Sequence, residues 1–312
     1  MDTRKFIEEK IDEIRRRVGF EKTINALSGG VDSSAVTLLG HRAIGDQLKT
    51  VFIDTGVMRE REPEMVIETF KKIGVNVHLI VAREEFFKAF KGMIDPEEKR
   101  KAFRNTFYSV LGRAVKESGA KFLLQGTIAA DISETQRGVK TQHNILEQIG
   151  IDPRIYGFEV IEPLRDLYKD GVREVAKALG LPQEIFSRMP FPGPGLATRI
   201  IGEVTPERVT VVRKAVKIVE EEVGPLKPFQ AFAVLLSDKA TGVTGSEEGR
   251  RSFGDMIAIR SVESRDAIRA EVTEIPWELL RKIQKRIIAE IPSVNKVLYD
   301  LTPKPPSTIE YI

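Results

Sequence analysis

The segment Ser28-Gly29-Gly30-Val31-Asp32-Ser33-Ser34 constrains this chain more than any other, because it lies between two apolar runs. Before it, Lys22-Thr23-Ile24-Asn25-Ala26-Leu27 alternates as a strand does; after it, Ala35 to Leu39 opens a helix. A strand that turns through paired glycines into a helix aims backbone N–H groups and the positive end of the helix dipole at one point, where an anion binds. The glycines let the backbone approach a phosphate, and the serine hydroxyls add donors. The loop lacks the Gly-Lys-Ser/Thr ending of a γ-phosphoryl-transfer loop and the G-x-G-x-x-G spacing of a dinucleotide turn. It carries Asp32 instead, a carboxylate among phosphate donors, where Mg²⁺ is well served. On the residues alone, the segment also reads as a glycine turn with a Ser/Asp helix cap.

The same alternation runs through the first half. Strands are expected at Lys49–Ile53, ending in Asp54-Thr55-Gly56, at Val75–Val81, and at Lys121–Gln125, ending in Gly126-Thr127. Helices are expected at Pro63–Ile73 and Pro96–Ser118, the second with apolar spacing at Phe103, Phe107, Val110, Leu111 and Val115. Strands separated by helices predict an α/β fold with a doubly wound parallel sheet. Ligands on such sheets bind beyond the carboxyl ends of the strands, so Ser28, Asp54 and Gly126 are expected in one crevice. From about 129 to 154 the periodicity gives way to polar residues, which reads as a lid. A helix is expected at Leu167–Leu179, before Gly180.

Pro190-Phe191-Pro192-Gly193-Pro194-Gly195 is a stiff connector, and it sets the expected boundaries: 1–190, a linker at 191–198, and 199–312. The last part reads as a small α+β domain, with helices at Pro206–Val223 and Pro276–Ile291 and strands at Gln230–Leu236, Asp255–Arg260 and Lys296–Tyr299.

Composition narrows the chemistry. With no cysteine, disulfides, thiolate zinc sites and cysteine nucleophiles are excluded, and His41, His78 and His143 are too scattered for a zinc cluster. The 49 basic and 46 acidic residues nearly cancel, leaving +3, which is no signature of a nucleic-acid binder. No run approaches 18 apolar residues, so a membrane-spanning helix is not expected, and Met1–Lys10 reads as a charged amphipathic helix rather than a signal peptide. A cytoplasmic protein is the expectation.

The glycine loop resembles the SGGxDS pyrophosphate loop of the N-type ATP pyrophosphatases, which split ATP between its α- and β-phosphates. Over nearly the whole chain the sequence is similar to the synthetase part of the GMP synthetase family. The resemblance rests on LSGGVDSS (27–34), QGTIAADISE (125–134), KTQHN (140–144), EPLRDL (162–167), FPGPGLATR (191–199) and KPPSTIEYI (304–312). The last two weigh against an NAD synthetase or a tRNA-thiolating enzyme, and the lack of cysteine weighs further against thiolation. Asp32, the long polar stretch and a second domain weigh against a non-catalytic nucleotide-binding module.

The resemblance implies ATP-dependent amination of XMP to GMP through an adenylyl intermediate, with Mg²⁺. Ser28, Gly29, Gly30, Val31, Asp32, Ser33 and Ser34 would hold the pyrophosphate, with Asp32 as metal ligand. Phe52 and Ile53 would border adenine, and Gly126 and Thr127 the ribose and phosphates. Asp131 and Glu134 would place metal or orient the xanthine ring, and Lys140 and His143 would reach phosphate. Lys304 and Thr308 would meet the XMP phosphate and Glu310 the purine edge. Arg100 and Arg251 are further phosphate candidates, with Arg250 and Arg251 not separable by sequence. The chain begins shortly before the first strand and has no cysteine, so ammonia is expected from a separate glutamine amidotransferase polypeptide, a glutaminase partner in a heteromeric complex. A homodimer through the C-terminal domain is implied as well, and the apolar run Phe229–Leu236 agrees with it.

Overall fold

The computed structural model describes residues 1–129, 131–132, 158–186, 188–244, 250–265 and 267–312. By contacts the chain forms two compact units. The first comprises Met1–Asp54, Arg61–Ala82 and Asn105–Arg188; the second comprises Thr55–Glu60, Arg83–Arg104 and Met189–Ile312.

The first unit opens with α1 (Thr3–Val18), capped by Asp2, whose side chain accepts from the Lys5 N–H, and ended by Gly19 at φ 57°. Then follow β1 (Thr23–Ala26), α2 (Val31–Ile44), β2 (Leu48–Asp54), α3 (Glu62–Lys72) and β3 (Val77–Val81). Beyond the excursion into the second unit come β4 (Phe122–Leu124), β5 (Glu159–Ile161) and α6 (Lys169–Ala178). Among the described residues the sheet has the order β3-β2-β1-β4-β5, and every pairing is parallel. The crossover in sequence places β1 at the centre, so the loop that follows it opens at the middle of the sheet.

α2 is apolar nearly all round and buries Val31, the run Ser34–Gly40, Ala43 and Ile44. A buried polar chain ties it to the sheet. Thr50 Oγ1 donates to Asn25 Oδ1 at 2.8 Å, Asn25 Nδ2 to Thr37 Oγ1 at 2.6 Å, and Thr37 Oγ1 to the Ser33 carbonyl at 2.7 Å. Gly40 is packed closely: a Cβ there would stand 2.5 Å from Leu124 Cδ1 and 2.8 Å from Leu48 Cδ2, so those side chains would have to shift.

The second unit contains α4 (Arg83–Phe90) and the start of α5 (Pro96–Ser118), whose later turns belong to the first unit. Phe86 packs on Phe90 and Phe103 with ring centroids 6.4 and 5.0 Å apart. Its main body is α7 (Pro206–Val223), β6 (Gln230–Thr244), β7 (Arg250–Glu263), β8 (Glu271–Val272), α8 (Trp277–Glu290) and β9 (Val294–Tyr299). β6 and β7 form a long antiparallel ribbon with a register shift between Leu235 and Lys239, and β9 runs parallel to β7. Ala231 to Leu235 are buried within this unit. The apolarity of that strand is therefore accounted for by the core of its own unit rather than by a second copy.

Segment 55–60 belongs to this unit for a visible reason. Leu196 N–H donates to the Val57 carbonyl at 2.7 Å, and Arg213 Nε donates to the Met58 carbonyl at 2.9 Å. At Gly195, φ is +61° and a Cβ would stand 2.2 Å from the Val57 oxygen, so the connector can lie here only with glycine.

Candidate active site

In the first unit the glycine loop closes on itself. Ser33 Oγ accepts from the Ser28 N–H at 3.1 Å and donates to the Gly30 carbonyl at 3.1 Å, and the two serine hydroxyls are 2.9 Å apart. Gly29 has φ +82°, and a Cβ on it would meet Val66 Cγ2 at 2.8 Å. No side chain caps α2: its N-cap is Gly30, so the first turn is left to a ligand. The end of β4 lies against this turn, since a Cβ on Gly126 would stand 3.2 Å from Asp32 C and Ser33 N. Thr127 next to it is buried and donates through Oγ1 to Glu162 Oε1 at 2.5 Å. The expected meeting of the Ser28 and Gly126 strand ends is found.

Two cations flank the loop that the sequence reading did not select. Lys169, at the first turn of α6, places Nζ 2.6 Å from Asp32 Oδ2. Arg188 pairs with the buried Glu62 at 3.0 Å, and its Nη1 would lie 3.7 Å from a Cβ on Gly29. Lys169 follows closely on the EPLRDL segment, which was the available signal; nothing local marks Arg188. The other oxygen of Asp32, Oδ1, is buried and has no partner among the described residues, and so has the Ser34 hydroxyl. An orphaned carboxylate oxygen is costly unless something binds it.

The donor chemistry fits Mg²⁺: Asp32 would supply a hard carboxylate oxygen, and its buried Oδ1 has no partner among the described residues. Among the described residues no three His, Cys, Asp or Glu side chains cluster to hold a metal by themselves. Phe52 and Ile53 are buried in β2, opposite Leu79 and Ile80 of β3. Asp131 is half-buried, and its Oδ2 accepts from the Ile128 N–H at 3.0 Å. Glu134, Lys140 and His143, with most of the expected lid, lie outside the described residues.

In the second unit the last residues are gripped by two buried arginines. Arg260 donates through Nε to the Ile309 carbonyl at 2.9 Å and through Nη2 to the Thr308 carbonyl at 2.5 Å. Its Nη1 reaches Asp300 at 2.6 Å and the Thr302 carbonyl at 3.0 Å. Arg199 pairs with Glu310 at 3.3 Å. Arg100 reaches the oxygen of Ile312 at 2.5 Å. Lys304 Nζ donates to the Ala267 carbonyl at 2.8 Å, and Thr308 Oγ1 bonds the Glu310 carbonyl. Arg251 is exposed on β7 opposite Val243 of β6. The structure therefore gathers Arg100, Thr308 and Glu310 around the tail, with Arg199 and Arg260 as residues the sequence reading did not name.

Comparison with known proteins decides the family. The model "NAD synthase" matches residues 2–115, and "GMP synthase C terminal domain" matches 219–311. A protein of Archaeoglobus fulgidus, named as one of the subunits of "GMP synthase [glutamine-hydrolyzing]", is 55% identical over 312 residues, all of both chains. The protein of the same name from Methanopyrus kandleri is 54% identical over 318 residues, 99% of each, and that from Pyrococcus horikoshii 53% over 314, all of each. The chain belongs to the GMP synthase family, among its separately encoded subunits. Members of this family are ligases, and the synthetase-type α/β fold expected from the sequence is the one found.

Proposed function

We propose that this chain joins ATP and XMP and aminates the product to GMP, with ammonia delivered by a separate glutaminase. The observation that carries this reading is the orphaned Asp32 Oδ1, buried in a hydroxyl-lined loop at an uncapped helix start. The 2-oxygen of xanthine attacks the α-phosphorus of ATP, and the bond to the β-phosphate oxygen breaks, releasing pyrophosphate. Ammonia then adds at C2 and AMP leaves with the oxygen.

The chain's own part is mostly electrostatic. The first amides of α2 and the hydroxyls of Ser28, Ser33 and Ser34 face the charge that develops on the departing pyrophosphate. Lys169 holds Asp32 in one orientation and offsets its charge. Mg²⁺, when bound with ATP at Asp32, would neutralise phosphate charge. Thr127, fixed by Glu162, and Gly126 keep the β4 end close to this loop. Asp131, Glu134 and Lys140 remain candidates for placing metal, base or phosphate. At the tail, Glu310 would read the purine edge, and Lys304, Thr308, Arg100 and Arg251 would meet the 5′-phosphate.

The relatives are named as one subunit of their enzyme rather than as the whole of it, which supports a separate partner. This chain also has no cysteine with which to hydrolyse glutamine by a thiol mechanism. No helix among the described residues is long and apolar enough to cross a membrane, which is compatible with work in the cytoplasm. Homodimerisation through the C-terminal part belongs to the same proposal. It is supported by Val243 and Phe253, both exposed on the β6–β7 ribbon. Light scattering of the full chain beside Phe253→Asp tests it, and a monomer at micromolar concentration would end it.

The central test is a chromatographic assay of GMP with XMP, ATP and Mg²⁺. Ammonium should support the reaction and glutamine should not. GMP made from glutamine by this chain alone, or ATP cleavage indifferent to XMP, would overturn the reading.

A further inference from the structure

Arg199 follows the Pro/Gly connector and is completely buried. Its guanidinium is held between two rings, 4.8 Å from the centroid of Phe191 and 4.2 Å from that of Phe232. Arg59 stacks on Phe191 in turn, at 4.1 Å, and is itself fixed by Glu220 at 2.9 Å. The plane of Arg199 is thus set by aromatic faces, a placement that a lysine ammonium cannot reproduce. From that plane Nε and Nη2 reach the two oxygens of Glu310 at 3.4 and 3.3 Å. Gln230 Nε2 donates to the same carboxylate at 2.5 Å and to the Pro190 carbonyl at 3.0 Å. Nη1 of Arg199 is buried and meets no acceptor among the described residues.

This arrangement is poor glue. Arg260 already binds the tail through three main-chain carbonyls and Asp300, at 2.5 to 3.0 Å. Arg199 makes longer bonds, contacts only the side chain of Glu310 in the tail through them, and keeps one N–H in reserve. A buried charge with an unused donor is an expensive way to add a second anchor. It is an effective way to fix the direction of one carboxylate.

We propose that Arg199, with Gln230, is the positioning residue that presents Glu310 to the base of the acceptor nucleotide. The proposal rests on the reading of Glu310 given above. The ring sandwich sets the guanidinium, the guanidinium and the Gln230 amide set the carboxylate, and the carboxylate's remaining lone pairs face the N–H groups of an oxidised purine. Arg199 does not touch the reacting atoms. It acts on recognition of one substrate.

The test is steady-state kinetics of the full chain with ammonium as nitrogen donor. Arg199→Lys keeps the charge but loses the fork, and should raise KM for XMP roughly tenfold or more while KM for ATP stays within about threefold. Glu310→Gln should do the same, and the double variant should be no worse than Glu310→Gln by more than about threefold, because two residues acting through one contact are not additive. A structural anchor would behave differently: both KM values and the melting temperature would suffer together, and the double variant would be additive. That result overturns the inference. If wild type does not consume XMP, the functional reading fails instead. If Glu310→Gln raises KM for XMP and Arg199→Lys leaves it unchanged, the inference alone fails. Should Arg199→Lys not fold, Gln230→Met decides the matter: a several-fold rise in KM for XMP alone supports the presentation of Glu310, and an unchanged value overturns it.

Discussion

The two candidate sites are built in opposite ways. The glycine loop is held by its own neighbours: Ser28, Gly30 and Ser33 bond one another within a single turn, over a helix that is already core. The tail site is assembled from residues far apart in sequence, with Arg100, Arg199, Gln230 and Arg260 all meeting the last few residues. The loop's groups are therefore replaceable without loss of fold, whereas at the tail Arg260, bound to three main-chain carbonyls and Asp300, holds the shape itself. A substitution in the loop should fail in rate, and one at Arg260 in stability.

The largest effect should come from Arg260→Met. It strands Asp300 and removes bonds to the Thr302, Thr308 and Ile309 carbonyls in a fully buried place. Loss of one partner from such a buried pair costs about 3–5 kcal/mol, so chemical denaturation should show a clear fall in midpoint. A variant as stable as wild type would contradict this division where it is clearest.

Asp32→Asn is the converse case. The amide keeps the shape but gives up the charge that Lys169 and a metal require, and adenylylation should fall on the order of a hundredfold or more. The melting temperature should barely move, since the pair is partly exposed and such pairs contribute little, about 0–1 kcal/mol. Pyrophosphate release near the wild-type rate would reduce Asp32 to the ion-pair partner of Lys169.

The smallest effect bears on the stability half. Burial, and then the nearby Arg208, lower the Lys99 ammonium from 10.5 to about 8, while Asp95 works the other way; its Nζ donates to the Ile200 carbonyl at 2.8 Å. Below pH 8 the group is protonated in both folded and unfolded chains and subtracts a constant amount from stability. Between about 8 and 10.5 the unfolded chain holds the extra proton, so stability rises with pH. Tyr299 is raised by burial to about 12, so its opposing contribution starts only above pH 10. Lys99→Met should therefore be more stable than wild type at pH 7, by roughly 1–3 kcal/mol, with the difference shrinking by pH 10. A difference that is flat with pH would show that Lys99 carries its charge without strain.

What could be read from the sequence follows the same division. The loop, β1, β2, β4 and the long helices were legible because each is specified by residues within one period or one turn. Lys169 was missed because helix α6 packs beside α2 and brings it to Asp32 from far along the chain, and no local pattern records that. The ribbon β6–β7 runs well past the expected Leu236 and begins before Asp255, since its outer half, with Lys239, Thr241 and Ser252, is polar and lacks the apolar signal of a buried strand. β3 begins at Val77 rather than Val75 and is an edge strand with His78 and Val81 exposed, which an apolar run cannot reveal. Arg199 ends the FPGPGLATR segment and Arg260 ends an expected strand, and no sequence pattern marks either as buried. Only the fold shows that they are interior.

One consequence of α2 concerns time rather than place. The helix whose first turn is proposed to meet the phosphates also has ten of its residues sealed in the interior, from Val31 to Ile44. Its hydrogen-bonded amides, from Ser34 onward, should exchange with deuterated solvent only when the whole unit opens, slower than those of α1 or the β3 edge, and the unpaired N–H groups of the first turn ride on that fixed body. The donors are then in position before any ligand arrives and stay there after it leaves. On the proposed reading, a phosphate chain of different length or angle would meet a surface that does not yield and would be refused rather than accommodated.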